Sequence, residues 1–246
     1  MSSKTLKMNI AIIGYGKMGH EIEKICRERG HNIVCTIDVG EESKFESDEF
    51  KNAAVAIEFS SPESALNNYK RAFAANVPAV SGTTGWLDNI DEVKQACEKD
   101  GQTFFYASNF SLGVNILFAV NKYLANIMND FPEYNVHVDE THHIHKLDAP
   151  SGTAITIAEG ILESLERKKQ WKLDEQNSKD DLQINAFREG EVPGIHTIKY
   201  ESEVDSIELK HDAKSRKGFA LGAVVAAEFT ANKKGFLGME DLLPFK

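Results

Sequence analysis

The sequence predicts an α/β protein: a doubly wound parallel sheet followed by a second, α+β unit. Three observations predict it. Apolar, β-rich runs alternate with helical patterns through the first hundred residues, the order that gives a parallel sheet with crossover helices. A glycine-rich turn, Gly14-Tyr15-Gly16-Lys17-Met18-Gly19, separates the first strand from the first helix. After residue 110 the rhythm changes to long helices and closely spaced strands.

The elements follow in order. Lys7 to Ile13 is the first strand; its apolar run is too short for a signal-peptide core. His20 to Glu28 has helical spacing, with Ile22, Ile25 and Cys26 on one face. Asn32 to Ile37 is a second strand closed by Asp38, and Asp48 to Asn52 is a polar connection. Ala53 to Phe59 is a buried third strand. Pro62 to Asn76 is a helix, with Ser60 or Ser61 as N-cap and Pro62 at the first helical position. Pro78 to Ser81 is a strand, Gly82-Thr83-Thr84-Gly85 a turn, Leu87 to Asp100 a helix and Thr103 to Ala107 a strand. Then come an amphipathic helix over Asn115 to Met128, an alternating strand over Tyr134 to Glu140, and a helix over Ala154 to Glu166. Gln170 to Asp181 is polar and reads as a solvated loop. Leu182 to Phe187, His196 to Tyr200 and Ser206 to His211 read as antiparallel strands. A last helix over Ala220 to Phe229 leads to a Gly-Phe-Leu-Gly turn and a short tail, Met239 to Leu243.

Composition narrows the function. A chain of 246 residues with 41% hydrophobic and 27% charged residues is ordinary for a soluble protein. It has no apolar run long enough for a bilayer. The three cysteines, Cys26, Cys35 and Cys97, match no metal spacing and read as reduced thiols of a cytoplasmic protein. A net charge of −10 argues against nucleic acid as a partner. An anionic ligand then needs a locally positive site.

The glycine turn is one place for an anion. Its first glycine permits a tight turn, the second lets backbone approach a pyrophosphate, and the third allows close helix–strand packing. The helix start adds free N–H groups and a partial positive charge. Asp38, about 20 residues on as such sites require, ends the second strand and suits a ribose 2′-hydroxyl. The first unit is therefore Rossmann-like and binds a dinucleotide. The competing reading is a turn chosen only for packing. A carboxylate at Asp38 repels a 2′-phosphate, and Val39-Gly40 supplies no arginine to counter it, although Lys17 and Lys44 are cations that could. NADH is expected to be used at least as well as NADPH. Gly82 to Gly85 lies at the carboxyl edge of the sheet and suits the nicotinamide ribose, or is a plain turn. Asn109-Phe110-Ser111 stands where a hinge and a ring-stacking aromatic are useful, or is a simple linker.

The densest chemistry lies in Glu140-Thr141-His142-His143-Ile144-His145-Lys146-Leu147-Asp148-Ala149-Pro150-Ser151-Gly152-Thr153-Ala154. Three of the eight histidines fall within four positions, and a lysine follows. Imidazole is the usual general acid near neutrality, and lysine supplies fixed charge for an anion. Pro150 stops regular structure, and Ser151 can cap a helix whose first N–H groups, with Ser151, Gly152 and Thr153, face a carboxylate. Neighbouring strand residues point to opposite faces, so His142 and His143 share a role only if the chain bends there. The alternatives are a metal cluster, surface histidines and a bare helix cap. The dispersed cysteines and embedded lysine count against structural zinc.

This segment resembles the signature of the dihydrodipicolinate reductase (4-hydroxy-tetrahydrodipicolinate reductase) family of lysine synthesis. The resemblance extends to the glycine turn, Gly82 to Gly85, Asn109 to Asn115, Arg188-Glu189-Gly190 and Phe219 to Ala223. It implies hydride transfer from NADH or NADPH to 4-hydroxy-tetrahydrodipicolinate, with loss of water. It implies His142 as acid/base and Lys146 as its partner, with no metal. It places His143, Ser151, Gly152 and Thr153 on the two substrate carboxylates. Gly14, Gly16, Lys17, Met18, Gly19, Asp38, Gly82, Thr84, Asn109 and Phe110 fall at cofactor positions. It further implies a cofactor domain of residues 1–109 and 218–246, a substrate and oligomerisation domain of 110–217, and a homotetramer. Two departures stand out: Glu58 where the family more often has aspartate, and Val39 where many members carry arginine. Semialdehyde dehydrogenase chemistry is disfavoured, because it needs a cysteine in the second half. A nucleotide-sensing module on the same fold has no use for His142, Lys146 and Ser-Gly-Thr together.

Overall fold

The computed structural model describes residues 6–175, 178–215 and 217–243. The chain separates into two compact units, one ending at Ser111 and resuming at Lys217, the other beginning at Leu112.

The first unit is a six-stranded parallel sheet in the order β11-β5-β4-β3-β1-β2. Its strands are β1 (Asn9–Ile13), β2 (Asn32–Ile37), β3 (Val55–Glu58), β4 (Ala79–Ser81), β5 (Thr103–Tyr106) and β11 (Gly235–Leu237). Its helices are α1 (Lys17–Glu28), α2 (Asp48–Lys51), α3 (Pro62–Ala74), α4 (Ile90–Lys99), α7 (Lys217–Thr230) and α8 (Met239–Leu242). The strands are continuous apolar runs because helices cover both faces; Ile10, Ala11, Ile12, Val55, Ala56 and Ile57 are all fully buried. Small residues bring α7 close to its neighbours α1, β3, β4 and β5. A Cβ on its Gly222 would stand 1.7 Å from the Phe110 carbonyl oxygen, so this position admits only glycine without moving the chain after β5. Ser61 begins α3 in a capping box with Ser64, and Pro62 occupies the first turn, as the sequence predicts.

The second unit is a five-stranded mixed sheet in the order β10-β9-β6-β8-β7. It comprises α5 (Leu112–Ile127), β6 (Asn135–His142), α6 (Gly152–Ser164), β7 (Gln170–Leu173), β8 (Asp181–Arg188), β9 (Ile195–Glu201) and β10 (Ser206–Asp212). The helices α5 and α6 pack on each other and on this sheet, with Val136, Val138, Ile157, Ile161, Ile184 and Ile198 buried between.

Four expectations change. Asp48 to Asn52 is a helical turn rather than a plain connection, capped by Ser47 and anchored by the buried Phe50. One turn is too short to show a period. Gln170 to Leu173 is an edge strand rather than a solvated loop: it pairs with β8, and Trp171 packs against the core. Its four residues hide among charges, and residues 176 and 177 of the expected loop lie outside the described residues. β8 is parallel to β6, not antiparallel, because the intervening α6 makes a crossover connection. Gly235 to Leu237 is a strand pairing with β5, not a turn; its glycine masks Phe236, which packs on the core.

The three cysteines are free and buried, and burial pushes the Cys26 thiol up to about 12. Among the described residues no helix is long and apolar enough to cross a membrane.

Candidate active site

The glycine turn is tight at both ends and open in the middle. Gly14 has φ +86°, and a Cβ there would meet the Phe59 carbonyl oxygen at 2.0 Å. A Cβ on Gly19 would meet the Gly14 carbonyl oxygen at 2.4 Å. At Gly16 nothing lies within 4 Å. Gly16 precedes α1 without a side-chain cap, and the first turn of α1 carries no acid. The helix start therefore offers uncapped N–H groups and its partial positive charge beside an open backbone, a cradle that fits a pyrophosphate.

Two cavities flank the turn. On the β2 side a small cavity of about 60 Å³ is lined by Gly14, Asp38, Val39, Glu42, Ser60 and Ser64, among others. Lys44, a candidate cation for that side, pairs with Glu41 at 2.6 Å and donates to the Thr36 carbonyl at 3.1 Å. On the β3–β4 side a shallow pocket of about 460 Å³ is lined by Gly16, Lys17, Met18, Phe59, Gly82 and Thr84, with Ser60, Pro62 and Thr83. The structure thus gathers Gly14, Gly16, Lys17, Met18, Asp38, Gly82 and Thr84 around one turn. Phe110 is not an exposed stacking ring: it is buried, packed against Phe59 and Phe105. Phe59, half-buried, is the aromatic at the pocket, and a Cβ on Gly82 would meet its ring at 2.3 Å. Asn109 accepts from the Ser111 N–H at 2.9 Å and shapes the loop after β5.

Beneath this pocket lies a residue that sequence reasoning noticed only as a departure. Glu58 ends β3 and is fully buried. Its carboxylate accepts from Ser81 Oγ at 2.7 Å, Thr83 Oγ1 at 2.9 Å and the Ser60 hydroxyl, with Asn68 Nδ2 at 3.5 Å. A glutamate closing an otherwise apolar strand was the available signal.

The second cluster is built on β6. Residues two apart on a strand share a face, and Glu140 and His142 both point into the unit and are buried. Sheet register supplies their partners: Glu140 pairs with His196 of β9, and His142 with Arg188 of β8. His142 Nδ1 lies 3.4 Å from Glu140 Oε2, and His196 Nε2 lies 3.8 Å from the same oxygen. Both Glu140 oxygens accept from the Ser151 N–H at 3.1 Å, and the Arg188 guanidinium stands at 3.5 Å. Burial penalises the Glu140 charge, but His142 and Ser151 outweigh it and hold the carboxyl down to about 2. Burial, reinforced by the neighbouring His142, lowers His196 to about 4. His142 Nε2 faces Gly194, where a Cβ would come within 3.1 Å.

The loop beyond β6 bends, as the paired histidines require. The Lys146 N–H donates to the His143 carbonyl at 3.1 Å. Lys146 Nζ sits 2.8 Å from both Asp148 oxygens, and this contact lowers the Asp148 pKa. Arg188 ties the loop down by donating to the Asp148 carbonyl at 2.7 Å and the Lys146 carbonyl at 3.3 Å. His143 is half-buried and His145 is exposed beside Glu191. Ser151 caps α6 through Ala154 N–H at 3.2 Å, and its hydroxyl meets His196 Nε2 at 3.1 Å. Its N–H and hydroxyl are therefore engaged inside the protein. Gly152 is exposed and Thr153 half-buried at the first turn of α6. Glu140, His142 and His196 hold ligand atoms within 4.8 Å of one another, close enough for a cation. Arg188 against the same carboxylate, and three protein ligands rather than four, disfavour a structural zinc there.

Residues 8–110 match the family description "Dihydrodipicolinate reductase, N-terminus", and residues 113–243 match "Dihydrodipicolinate reductase, C-terminus". A 4-hydroxy-tetrahydrodipicolinate reductase of Christiangramia forsetii is 50% identical over 240 residues, 96% of this chain and 98% of that one. One from Staphylococcus saprophyticus is 32% identical over 247 residues, 96% of this chain and 100% of its own. A dipicolinate-bound dihydrodipicolinate reductase from Paenisporosarcina sp. TG-14 shares the fold, with a TM-score of 0.78 at 22% identity over 97% of this chain and 100% of that one. Both halves of the sequence, and not the glycine turn alone, thus place this chain in the dihydrodipicolinate reductase family.

Proposed function

We propose that the protein reduces 4-hydroxy-tetrahydrodipicolinate to tetrahydrodipicolinate with NADH or NADPH, with loss of water, in diaminopimelate and lysine synthesis. The observation that carries this is the 50% identity, along nearly the whole of both chains, to a 4-hydroxy-tetrahydrodipicolinate reductase.

The residues divide the work. Residues 1–109 and 218–246 form the cofactor domain and residues 110–217 the substrate and oligomerisation domain of a cytoplasmic homotetramer. Gly14, Gly16 and Gly19 with the start of α1 hold the pyrophosphate. Lys17, Met18, Gly82, Thr84, Asn109 and Phe110 shape the rest of the groove, and Asp38 takes the adenosine ribose. Reduced nicotinamide, when bound, would supply a hydride to C4 of the conjugated cyclic imine that remains once the 4-hydroxyl and a ring hydrogen have left as water. Electrons then move toward the substrate nitrogen, and a proton must follow. Glu140 stands 3.4 Å from His142 Nδ1 and favours a hydrogen on that nitrogen, which leaves Nε2 as the nitrogen that exchanges a proton. His142 Nε2 opens toward Gly194 and is the proton donor. Lys146, released from or shared with Asp148, holds one substrate carboxylate with His143. Gly152 and Thr153 at the start of α6 hold the other, and Ser151 fixes where that helix begins.

NADH serves at least as well as NADPH. Asp38 and Glu42 both line the small cavity, and Lys44 is already neutralised by Glu41. Turnover of enzymatically generated substrate by wild type, His142→Gln and Lys146→Ala tests the roles. His142→Gln is expected to lose about 10²- to 10⁴-fold in kcat, and Lys146→Ala to lower kcat and raise KM. Wild-type kcat in both variants would remove the assignment.

A further inference from the structure

We propose that Glu58 is a fixed buried charge that favours the oxidised over the reduced nicotinamide, and so assists hydride donation. This rests on the nicotinamide-cofactor reading above.

The hydrogen bonds around Glu58 run one way. Ser81 Oγ already accepts from the Thr83 N–H at 3.2 Å. Thr83 Oγ1 accepts from the Ser60 N–H at 2.9 Å. Ser60 Oγ accepts from Asn68 Nδ2 at 3.1 Å. Each hydroxyl therefore has its own proton left for Glu58, and the distances place it there. The Glu58 oxygens accept from all four partners. Among the described residues its partners are all neutral, with no lysine or arginine. Burial raises the pKa of the Tyr69 phenol, which bonds Ser81 at 2.7 Å, and the charge of Glu58 adds to that rise.

Holding two loop ends together does not need a charge. A glutamine of the same size meets several of the same donors, whereas a buried carboxylate without a cation is unfavourable. The charge itself calls for a function, and its position suggests one. Strand order places β1 between β2 and β3. With the adenosine ribose at Asp38 after β2 and the pyrophosphate at the glycine turn, the nicotinamide half lies over β3 and β4. The pocket there is lined by Phe59, Ser60, Gly82 and Thr83, two of which bond Glu58 directly. When the ring gives up a hydride with its electron pair, it gains one positive charge. A carboxylate fixed in advance below that pocket stabilises the charge as it develops, without reorganising.

The test is equilibrium titration of the full chain with NADH, by its fluorescence, and with NAD⁺, by competition. Glu58→Gln is expected to weaken NAD⁺ about fivefold more than NADH, the scale of one charge acting on another through a partly screened interior. Glu58→Asp keeps the charge and should keep the affinity ratio, even where both affinities fall together. Asn68→Lys sets an ammonium against Glu58 and should shift the ratio in the same direction as Glu58→Gln, which keeps the test open if the glutamine variant does not fold. A purely structural clip moves both affinities alike, and an unchanged ratio in Glu58→Gln or Asn68→Lys overturns the proposal. If wild type binds neither nucleotide, the cofactor reading itself has failed and the proposal falls with it.

Discussion

Glu58 and Glu140 are both fully buried carboxylates near the ends of strands, one in each unit. Their surroundings differ in kind. Glu58 is ringed by three hydroxyls and an amide. Glu140 is ringed by two imidazoles, a guanidinium and a backbone N–H. A hydroxyl donates a hydrogen bond but keeps its proton near neutrality, whereas an imidazole takes one up and, as imidazolium, gives it up again. The first arrangement suits a charge held still; the second suits the passing of protons. That division suits a cofactor that needs an electrostatic environment and a substrate that needs an acid.

The largest effect should come from removing the carboxylate whose neighbours are charged. Glu140→Ala leaves Arg188 without its carboxylate partner and the Ser151 N–H without its acceptor, and should cost about 3–5 kcal/mol of stability in urea unfolding. Glu140→Gln keeps the shape and is the kinetic probe. It should lower kcat and shift the pH–rate profile, while Glu58→Gln leaves that profile in place. If the two variants exchange these behaviours, the roles of the two carboxylates are reversed.

A somewhat smaller effect isolates the imidazole side. His196 is held down to about 4, first by burial and then by His142. The unfolded chain takes up this proton from about pH 6.5 downward, the ordinary histidine value, but the folded chain does so only near 4. Stability is therefore complete above pH 6.5 and is lost as pH falls through that window, by about 3 kcal/mol. His196→Gln can retain the contact to Ser151 and should flatten the slope. Urea midpoints at neutral pH and near pH 5 decide the matter, and equal slopes in both proteins would show that His196 is not the titrating group.

How far each carboxylate could be foreseen follows from how its partners are placed. The glycine turn, Asp38 and the Ser61–Pro62 helix start are local signals, and local sequence carries them. Glu140 opens the most conspicuous segment of the chain, but His196 and Arg188 reach it only through strand register. No spacing along the chain encodes that register. Ser151 was legible as a helix cap, and the structure adds that its N–H is held by Glu140. Lys146 was legible as a cation, but its pairing with Asp148 was not. Glu58 was legible only as a charge in an apolar run, because Ser81, Thr83 and Asn68 lie on other elements. β7 and β11 were hidden by brevity: strands of four and three residues show too little alternation to be told from loops.

A smaller effect concerns the exposed charges of the first unit, and it sharpens the contrast between held and screened charge. Asp38 is exposed, while Glu58 is not. Asp38 and Glu42 line the small cavity, and Val39, 94% exposed, adds no cation. NADPH brings a further phosphate to that side, so NADH should be used at least as well. Asp38→Ala should raise kcat/KM for NADPH relative to NADH about tenfold, or about 1.4 kcal/mol. Because Asp38 faces water, raising salt from about 0.05 to about 0.5 M should shrink the discrimination in wild type. The NAD⁺/NADH affinity ratio set by Glu58 should respond far less, since mobile ions do not reach a buried carboxylate. A wild-type preference for NADPH of a hundredfold or more, about 2.7 kcal/mol, would mean that a cation outweighs Asp38 and Glu42. Lys17, at the other cavity, would then be the residue to replace. If both ratios respond to salt alike, Glu58 is not shielded from solvent, and the distinction between a buried charge that acts on the ring and an exposed one that selects the nucleotide no longer holds.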